Sequence, residues 1–223
     1  MTPSTNPSPL PLLERRSSEL VSPVRQRLRW FCANPAQHAL FLNTLSLMEH
    51  IGSRKIMASQ SGLELRNDTL KHLAEETRHA YFFKREAEKL SRRALDYGPA
   101  DTVAGAFARA YMGRLDAEIA AALGAQARPA LPYLYMSLIV ELRAVWLYRL
   151  YQDVLARANV AITLKSVLAE EELHLSAMLA HLLEHDREAG ERMNAFCILE
   201  NARFRTLWAA IEAASTSERI AAE

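Results

Sequence analysis

The element L-A-E-E-x-x-H occurs twice in the sequence, at residues 73–79 and 168–174. Each copy contains a Glu-x-x-His pair, Glu76/His79 in the first and Glu171/His174 in the second. On an α-helix, positions i and i+3 lie on the same face, so each pair would direct one carboxylate and one imidazole the same way. The repeat therefore favours a fold in which two helices each supply a carboxylate and an imidazole to a common site.

The residues around these elements have helical periodicity with few interruptions. Only seven of the 223 residues are glycine, and within residues 37–93 the one turn signal is Ser61-Gly62. Apolar residues recur at helical spacing and no strand pattern appears, which predicts an all-α fold. The predicted helices cover residues 36–60, 65–95, about 101–123, 130–157, 160–186 and 191–214.

The N-terminal stretch differs from the rest of the chain. Residues 1–23 hold five of the nine prolines and have no regular period. We therefore predict a disordered or loosely docked tail at residues 1–16, followed by a single helical domain at residues 17–223. No run of 18 uncharged apolar residues follows, so no membrane span is expected.

Several classes of function are excluded by composition and spacing. The glycines are too far apart for a G-x-G-x-x-G loop, a P-loop or a G-x-S-x-G nucleophile elbow. Cys32 and Cys197 cannot form a zinc knuckle or a disulfide framework, and they are consistent with the reducing cytoplasm. The net charge of +1 does not favour a nucleic-acid partner. We therefore expect a cytoplasmic protein without a nucleic-acid partner.

Two further glutamates interrupt helical rows that are otherwise apolar. Glu49 lies in a row with Phe41, Leu45 and Ile56, and Glu141 lies in a row with Leu134, Leu138, Val145 and Tyr148. A buried carboxylate must be paired or must bind a metal, because an isolated buried charge is strongly disfavoured. Both glutamates are therefore predicted to face a charged site in the interior.

Two antiparallel hairpins would bring these carboxylates to one height. Glu49 would lie level with Glu76 about the turn at Ser61-Gly62, and Glu141 level with Glu171 about a break near Asn159. Residues 96–128 are long enough to cross the bundle and start the third long helix parallel to the second. The four glutamates then carry four negative charges and the two neutral histidines carry none, so two divalent metal ions would neutralise the site.

The register of the repeat leaves one alternative. Glu75 and Glu170 precede the same histidines by four residues and would replace Glu76 and Glu171 if the helices were rotated. The apolar stripes that flank each element favour Glu76 and Glu171. We therefore expect Glu75, Glu170 and Glu172 to be solvated.

The six residues resemble the ligand pattern of the ferritin-like di-iron carboxylate superfamily, which has a Glu on each of two helices and Glu-x-x-His on each of the other two. The resemblance covers roughly residues 37–186 and implies a ferritin-like four-helix bundle with a long crossover and extra terminal helices. It implies two iron ions, with a manganese–iron pair or two manganese ions as alternatives. By position, one ion would have Glu49 and His79 as terminal ligands, the other Glu141 and His174, and Glu76 and Glu171 would bridge them.

The resemblance also implies a function. It suggests a non-haem di-iron oxygenase or oxidase that activates O2 and oxidises a small, apolar organic substrate. The ligand spacing is similar to that of the compact aldehyde-deformylating oxygenases, and the stretch EETRH resembles a helix of the acyl-carrier-protein desaturases. The expected partners are O2, the organic substrate, an electron-donor reductase and a second copy of the chain in a homodimer. The alternative is a ferritin-like ferroxidase, an iron-storage or metal-binding protein without an organic substrate.

Residues one or two turns from the predicted ligands define two flanks. His72 and His181 are expected on a polar flank, and Arg78 either orients a carboxylate or is a surface arginine. The opposite flank is predicted to be apolar and to admit O2 or substrate; it consists of Leu45, Phe83, Val145, Tyr148 and Val167.

Overall fold

The computed structural model describes residues 9–59, 67–128 and 130–221, with side chains up to residue 214. The described residues contain eight α-helices and no strand, which confirms the all-α class. The helices are α1 (Leu10–Arg16), α2 (Val21–Ala33), α3 (Pro35–Ser59), α4 (Asn67–Ser91), α5 (Gly105–Leu123), α6 (Ala130–Arg157), α7 (Lys165–His185) and α8 (Ala189–Ala221), and a 3-10 turn at Ser18–Leu20 precedes α2. The turn predicted at Ser61-Gly62 lies outside the described residues.

Four long helices, α3, α4, α6 and α7, surround the predicted site. α3 and α4 are antiparallel, because later residues of α3 meet earlier residues of α4. Ser46 Oγ donates to the Ala80 carbonyl at 2.6 Å, and Glu49 lies close to His79. α4 and α7 are also antiparallel, as are α6 and α7. α6 therefore runs parallel to α4, as the long connection predicts.

The connection from α4 to α6 contains α5, which packs against α3, α6 and α8. Arg92, with a φ of 55°, ends α4 before the predicted boundary at residue 95. α5 begins later than the predicted start at about residue 101, where Asp101 lies in the preceding loop. The Asp101 carboxylate accepts the backbone N–H of Asp96 at 2.7 Å and pairs with Arg93, and the helix begins only at Gly105.

The two ends of the described chain pack on the bundle. Leu10–Arg16, which the sequence analysis placed in a loose tail, form α1 against α6 and α8, because Leu13 has a fully buried site there. Residues 1–8 lie outside the described part. A buried ion pair joins α6 to α8: Arg143 Nε and Nη2 donate to the two carboxylate oxygens of Glu200 at 2.8 and 2.6 Å. Tyr111 of α5 donates to the same carboxylate at 2.7 Å.

α6 is the one described helix that is long and apolar enough to cross a membrane by length and composition. About two thirds of its most apolar window (67%) is buried inside the protein. Its composition is therefore that of a core helix, and it carries Glu141 and Arg143 into the interior.

Candidate metal centre

The six predicted ligands meet between α3, α4, α6 and α7, in two overlapping groups. Within each group, the facing nitrogen and carboxylate oxygen atoms lie within 4.8 Å of one another. One group contains Glu49, Glu76, His79 and Glu171, and the other contains His72, Glu76, Glu141 and His174. We call these seven residues the cluster. Glu76 belongs to both groups, which is the position that a bridging carboxylate occupies.

Glu171 also lies between the two halves of the cluster. Its Oε1 is 3.0 Å from Nδ1 of His79, and its Oε2 is 3.5 Å from Nδ1 of His174. Oε1 of Glu76 is 3.8 Å from the first of these nitrogens and 3.7 Å from the second. Two carboxylates therefore face both imidazoles, and the preferred register of the sequence analysis places them there.

Several buried polar atoms of the cluster have no hydrogen-bond partner among the described residues. These are Oε1 of Glu76, Nδ1 of His79, both carboxylate oxygens of Glu171 and Nδ1 of His174. Native proteins satisfy nearly all such atoms, since leaving one without a partner costs about 1–3 kcal/mol. All five are electron-pair donors that point into one volume, so the residues present could hold bound metal.

The Nε2 atoms of His79 and His174 are hydrogen-bonded to carboxylates across the bundle. His79 Nε2 on α4 lies 2.7 Å from Glu170 Oε2 on α7, and His174 Nε2 on α7 lies 2.8 Å from Glu75 Oε2 on α4. We call Glu75 and Glu170 the outer carboxylates. When Nε2 of a neutral imidazole donates a hydrogen bond to a carboxylate, Nδ1 of the same ring keeps a lone pair that faces the cluster.

The expectation that these two carboxylates are solvated is wrong. Glu75 is only 8% exposed and Glu170 is half-buried, because α4 and α7 pack closely enough for each helix to supply an acceptor to the other's histidine. Glu172 is exposed and pairs with Arg149. Arg78 orients a carboxylate: its Nη2 lies 2.6 Å from Glu170 Oε2.

His72 is the residue that the sequence analysis left outside the ligand set. Its Nε2 lies 3.2 Å from Glu141 Oε1 and 3.5 Å from Glu76 Oε1, and its ring centroid is 4.2 Å from that of His174. Its position four residues before Glu76 on one helix face is the signal that could have found it. The predicted companion, His181, instead lies beside His185, with the ring centroids 4.1 Å apart and the rings tilted.

The electrostatics of the cluster follow from four carboxylates in a buried volume. Burial, together with the charges of Glu76 and Glu171, raises the pKa of Glu49 well above its ordinary value, and burial and neighbouring carboxylates do the same for Glu141. Although burial opposes its charged form, contact with Glu171 and the surrounding carboxylates raises the pKa of His79 to about 10. Without metal, the cluster therefore retains protons that divalent cations would displace.

Two cavities reach the cluster. The large cavity, about 550 Å³, lies between α3, α4, α5 and α6 and touches His72, Glu76 and Glu141. The small cavity, about 60 Å³, is lined mainly by apolar side chains of α3, α5, α6 and α8 and touches Glu49, Glu76 and Glu141.

These cavities revise the predicted apolar flank. Leu45 and Tyr148 line the small cavity, but Phe83, Val145 and Val167 line neither, and each is at most 3% exposed because the core packs around it. Tyr148 is also not a purely apolar neighbour, since its hydroxyl donates to Glu49. The larger opening therefore lies on the side of His72, the flank that the sequence analysis described as polar.

Comparisons with protein-family models, with curated proteins and with solved structures found no match for this chain. The interpretation of the cluster therefore depends on its geometry and chemistry.

Proposed function

We propose that the cluster binds two metal ions in a ferritin-like four-helix bundle. Glu49 and His79 would hold one ion, Glu141, His174 and His72 would hold the other, and Glu76 and Glu171 would be shared between them. The observation that carries this proposal is the convergence of five buried, unpartnered donor atoms on one volume.

The ligand chemistry favours iron. The four cluster carboxylates bring four negative charges, which two divalent ions cancel, and the set contains nitrogen and oxygen donors but no thiolate. Such a set suits Fe(II) or Mn(II) better than structural zinc, which prefers sulfur ligands. We propose two iron ions, with a manganese–iron or dimanganese pair as the alternatives.

We further propose that the protein is an O2-dependent oxidoreductase acting on a small, largely apolar organic substrate. Two Fe(II) ions at this site would supply electrons to O2 and so permit oxidation of a substrate C–H or N–H bond. A reductase, or the substrate itself, supplies the further electrons. The large cavity supports this proposal, because its volume is in the range of small-molecule sites and it ends at three cluster residues.

The surrounding side chains have separate tasks in this proposal. The outer carboxylates hold the imidazole rings so that Nδ1 faces the metals, and Arg78 holds Glu170 in place. Tyr148 donates to Glu49 and is the proton-bearing group nearest to that carboxylate. The mainly apolar walls of the small cavity limit the access of water to the part of the cluster that contains Glu49.

The test is O2 consumption by protein loaded anaerobically with Fe(II). We expect the wild type to consume O2 at least about ten times faster than a Glu171→Ala variant, which lacks a bridging carboxylate. Equal rates would contradict the proposal. Size-exclusion chromatography addresses the alternative: we expect a homodimer, and a 24-subunit particle that continues to oxidise added Fe(II) would identify a ferroxidase instead.

A further inference from the structure

The wall of the large cavity carries three cations, Arg54, Lys55 and Arg109. They differ in how their charges are compensated. Lys55 forms an ion pair with Asp116 on the same wall. Arg109 donates to two neutral acceptors, the Tyr97 carbonyl at 2.7 Å and the Gly105 carbonyl at 3.4 Å. The Arg54 side chain is exposed and forms no hydrogen bond or ion pair with any described residue. Two guanidinium charges on this wall are therefore without a carboxylate partner in the described part of the chain.

The acidic groups of the same cavity do not offset these charges once metal is bound. Glu76 and Glu141 reach the cavity at the cluster, where two divalent ions would neutralise them. Asp116 is already paired with Lys55. A cavity wall with uncompensated guanidinium groups attracts anions and disfavours amines, and guanidinium matches the geometry of a carboxylate in particular.

The wall near the cluster has a different character. Met112 and Val140 lie there, since they also line the small apolar cavity that touches Glu49, Glu76 and Glu141. On α3, Arg54 follows Glu49 by five residues, which corresponds to roughly 7.5 Å along the helix axis. The cavity is thus cationic in one part and apolar in the part that adjoins the cluster.

We propose that the large cavity binds an organic monocarboxylate, with the carboxylate held by Arg54 and Arg109 and the apolar chain directed toward the cluster. This inference rests on the proposed function, since it names the substrate class of the same site. It adds that the substrate is an acid with an apolar chain rather than a neutral or cationic molecule. The position oxidised would be distant from the carboxylate, because the guanidinium groups and the cluster occupy different parts of the cavity.

Octanoate, octylamine and 1-octanol are suitable probes, because they share a chain and differ in the head group. In titration calorimetry with metal-loaded protein, we expect octanoate to bind at least about ten times more tightly than the other two, equivalent to about 1.4 kcal/mol. Octylamine binding as tightly as octanoate would overturn the proposal.

Variants locate the head group. Arg54→Gln should weaken octanoate binding about three- to tenfold, Arg54→Lys should restore much of it, and neither should change 1-octanol binding. Arg85→Gln is the matched control, because Arg85 is an exposed arginine of α4 that does not line the cavity. Unchanged octanoate affinity in an Arg54→Gln/Arg109→Gln double variant would also overturn the proposal.

The orientation of the chain can be measured separately with Mn(II)-loaded protein. Paramagnetic broadening should be stronger for the terminal methyl protons of octanoate than for the protons beside its carboxylate, and the opposite order would contradict the proposed orientation. Metal analysis of the same samples keeps the two proposals distinguishable. Arg54-dependent octanoate binding by protein that takes up no metal would contradict the proposed function and support the anion site alone.

Discussion

The outer carboxylates offer a direct perturbation of metal binding without removing a ligand. Glu75→Ala removes the acceptor for His174 Nε2, and Glu170→Ala removes the acceptor for His79 Nε2. Loss of such a partner commonly lowers metal affinity by about 10–100-fold, because the imidazole is no longer held in the ligating orientation. Since each outer carboxylate serves a different histidine, each variant should weaken mainly one of the two metal ions.

The structure indicates where in this range each variant falls. The Glu75 side chain is 11% exposed, so water cannot readily replace it, and Glu75→Ala should weaken binding about 100-fold, or about 2.7 kcal/mol. The Glu170 side chain is 26% exposed, so water can take over part of its task, and a tenfold loss, about 1.4 kcal/mol, is expected.

Competition with a chelator, followed by the visible spectrum of Co(II), measures both affinities. Glu172→Ala is the matched control, because this neighbour of Glu171 is exposed and pairs with Arg149 at 2.8 Å instead of a histidine. If Glu75→Ala bound both metals as tightly as the control, the assigned orientation of His174 would be wrong.

Three further outcomes are expected. His72→Ala should lower affinity for one metal at least about tenfold and leave the other nearly unchanged, as measured by the same competition; equal loss at both would contradict its place beside His174. Glu200→Ala should lower the free energy of unfolding by about 3–5 kcal/mol in urea, because it leaves Arg143 buried without its counter-charge, whereas Arg143→Met/Glu200→Leu should recover most of the loss. Burial lowers the pKa of His38 to about 4, so the unfolded chain takes up its proton first as pH falls. This group should therefore cost about 3 kcal/mol of stability between pH 6.5 and pH 4, and a His38→Gln variant with the same pH dependence as the wild type would refute that.

The convergence of the cluster could be predicted because it depends on helix geometry alone. Glu76 and His79 share a face by their spacing, and the apolar rows around Glu49 and Glu141 indicate which way those carboxylates point. Antiparallel pairing then places the groups at one height. Each of these steps uses only the rise and periodicity of a helix.

The roles of the neighbouring side chains depend on contacts between helices, which the sequence pattern does not contain. Glu75 and Glu170 look like solvated residues on their own helices, and only the packing of α4 against α7 makes them partners of His174 and His79. His72 likewise reaches Glu141 because of the way α4 lies against α6 and α7.

Loop conformations account for the remaining differences in the fold. Asp101, at the predicted start of α5, pairs with Arg93 and with the backbone of Asp96, and the helix begins only at Gly105. The break predicted near Asn159 is present, since this residue has a φ of 53°, but α7 begins only at Lys165. The Gln152 side chain accepts the N–H of Leu164 at 2.6 Å, a contact between distant residues that local propensity does not contain.

The most direct test of the central claim is anomalous X-ray scattering at the iron absorption edge from crystals of Fe(II)-loaded protein. We expect two peaks per chain between α3, α4, α6 and α7, one beside Glu49 and His79 and the other beside Glu141 and His174. The absence of peaks there, or a single peak, would contradict a dinuclear metal centre.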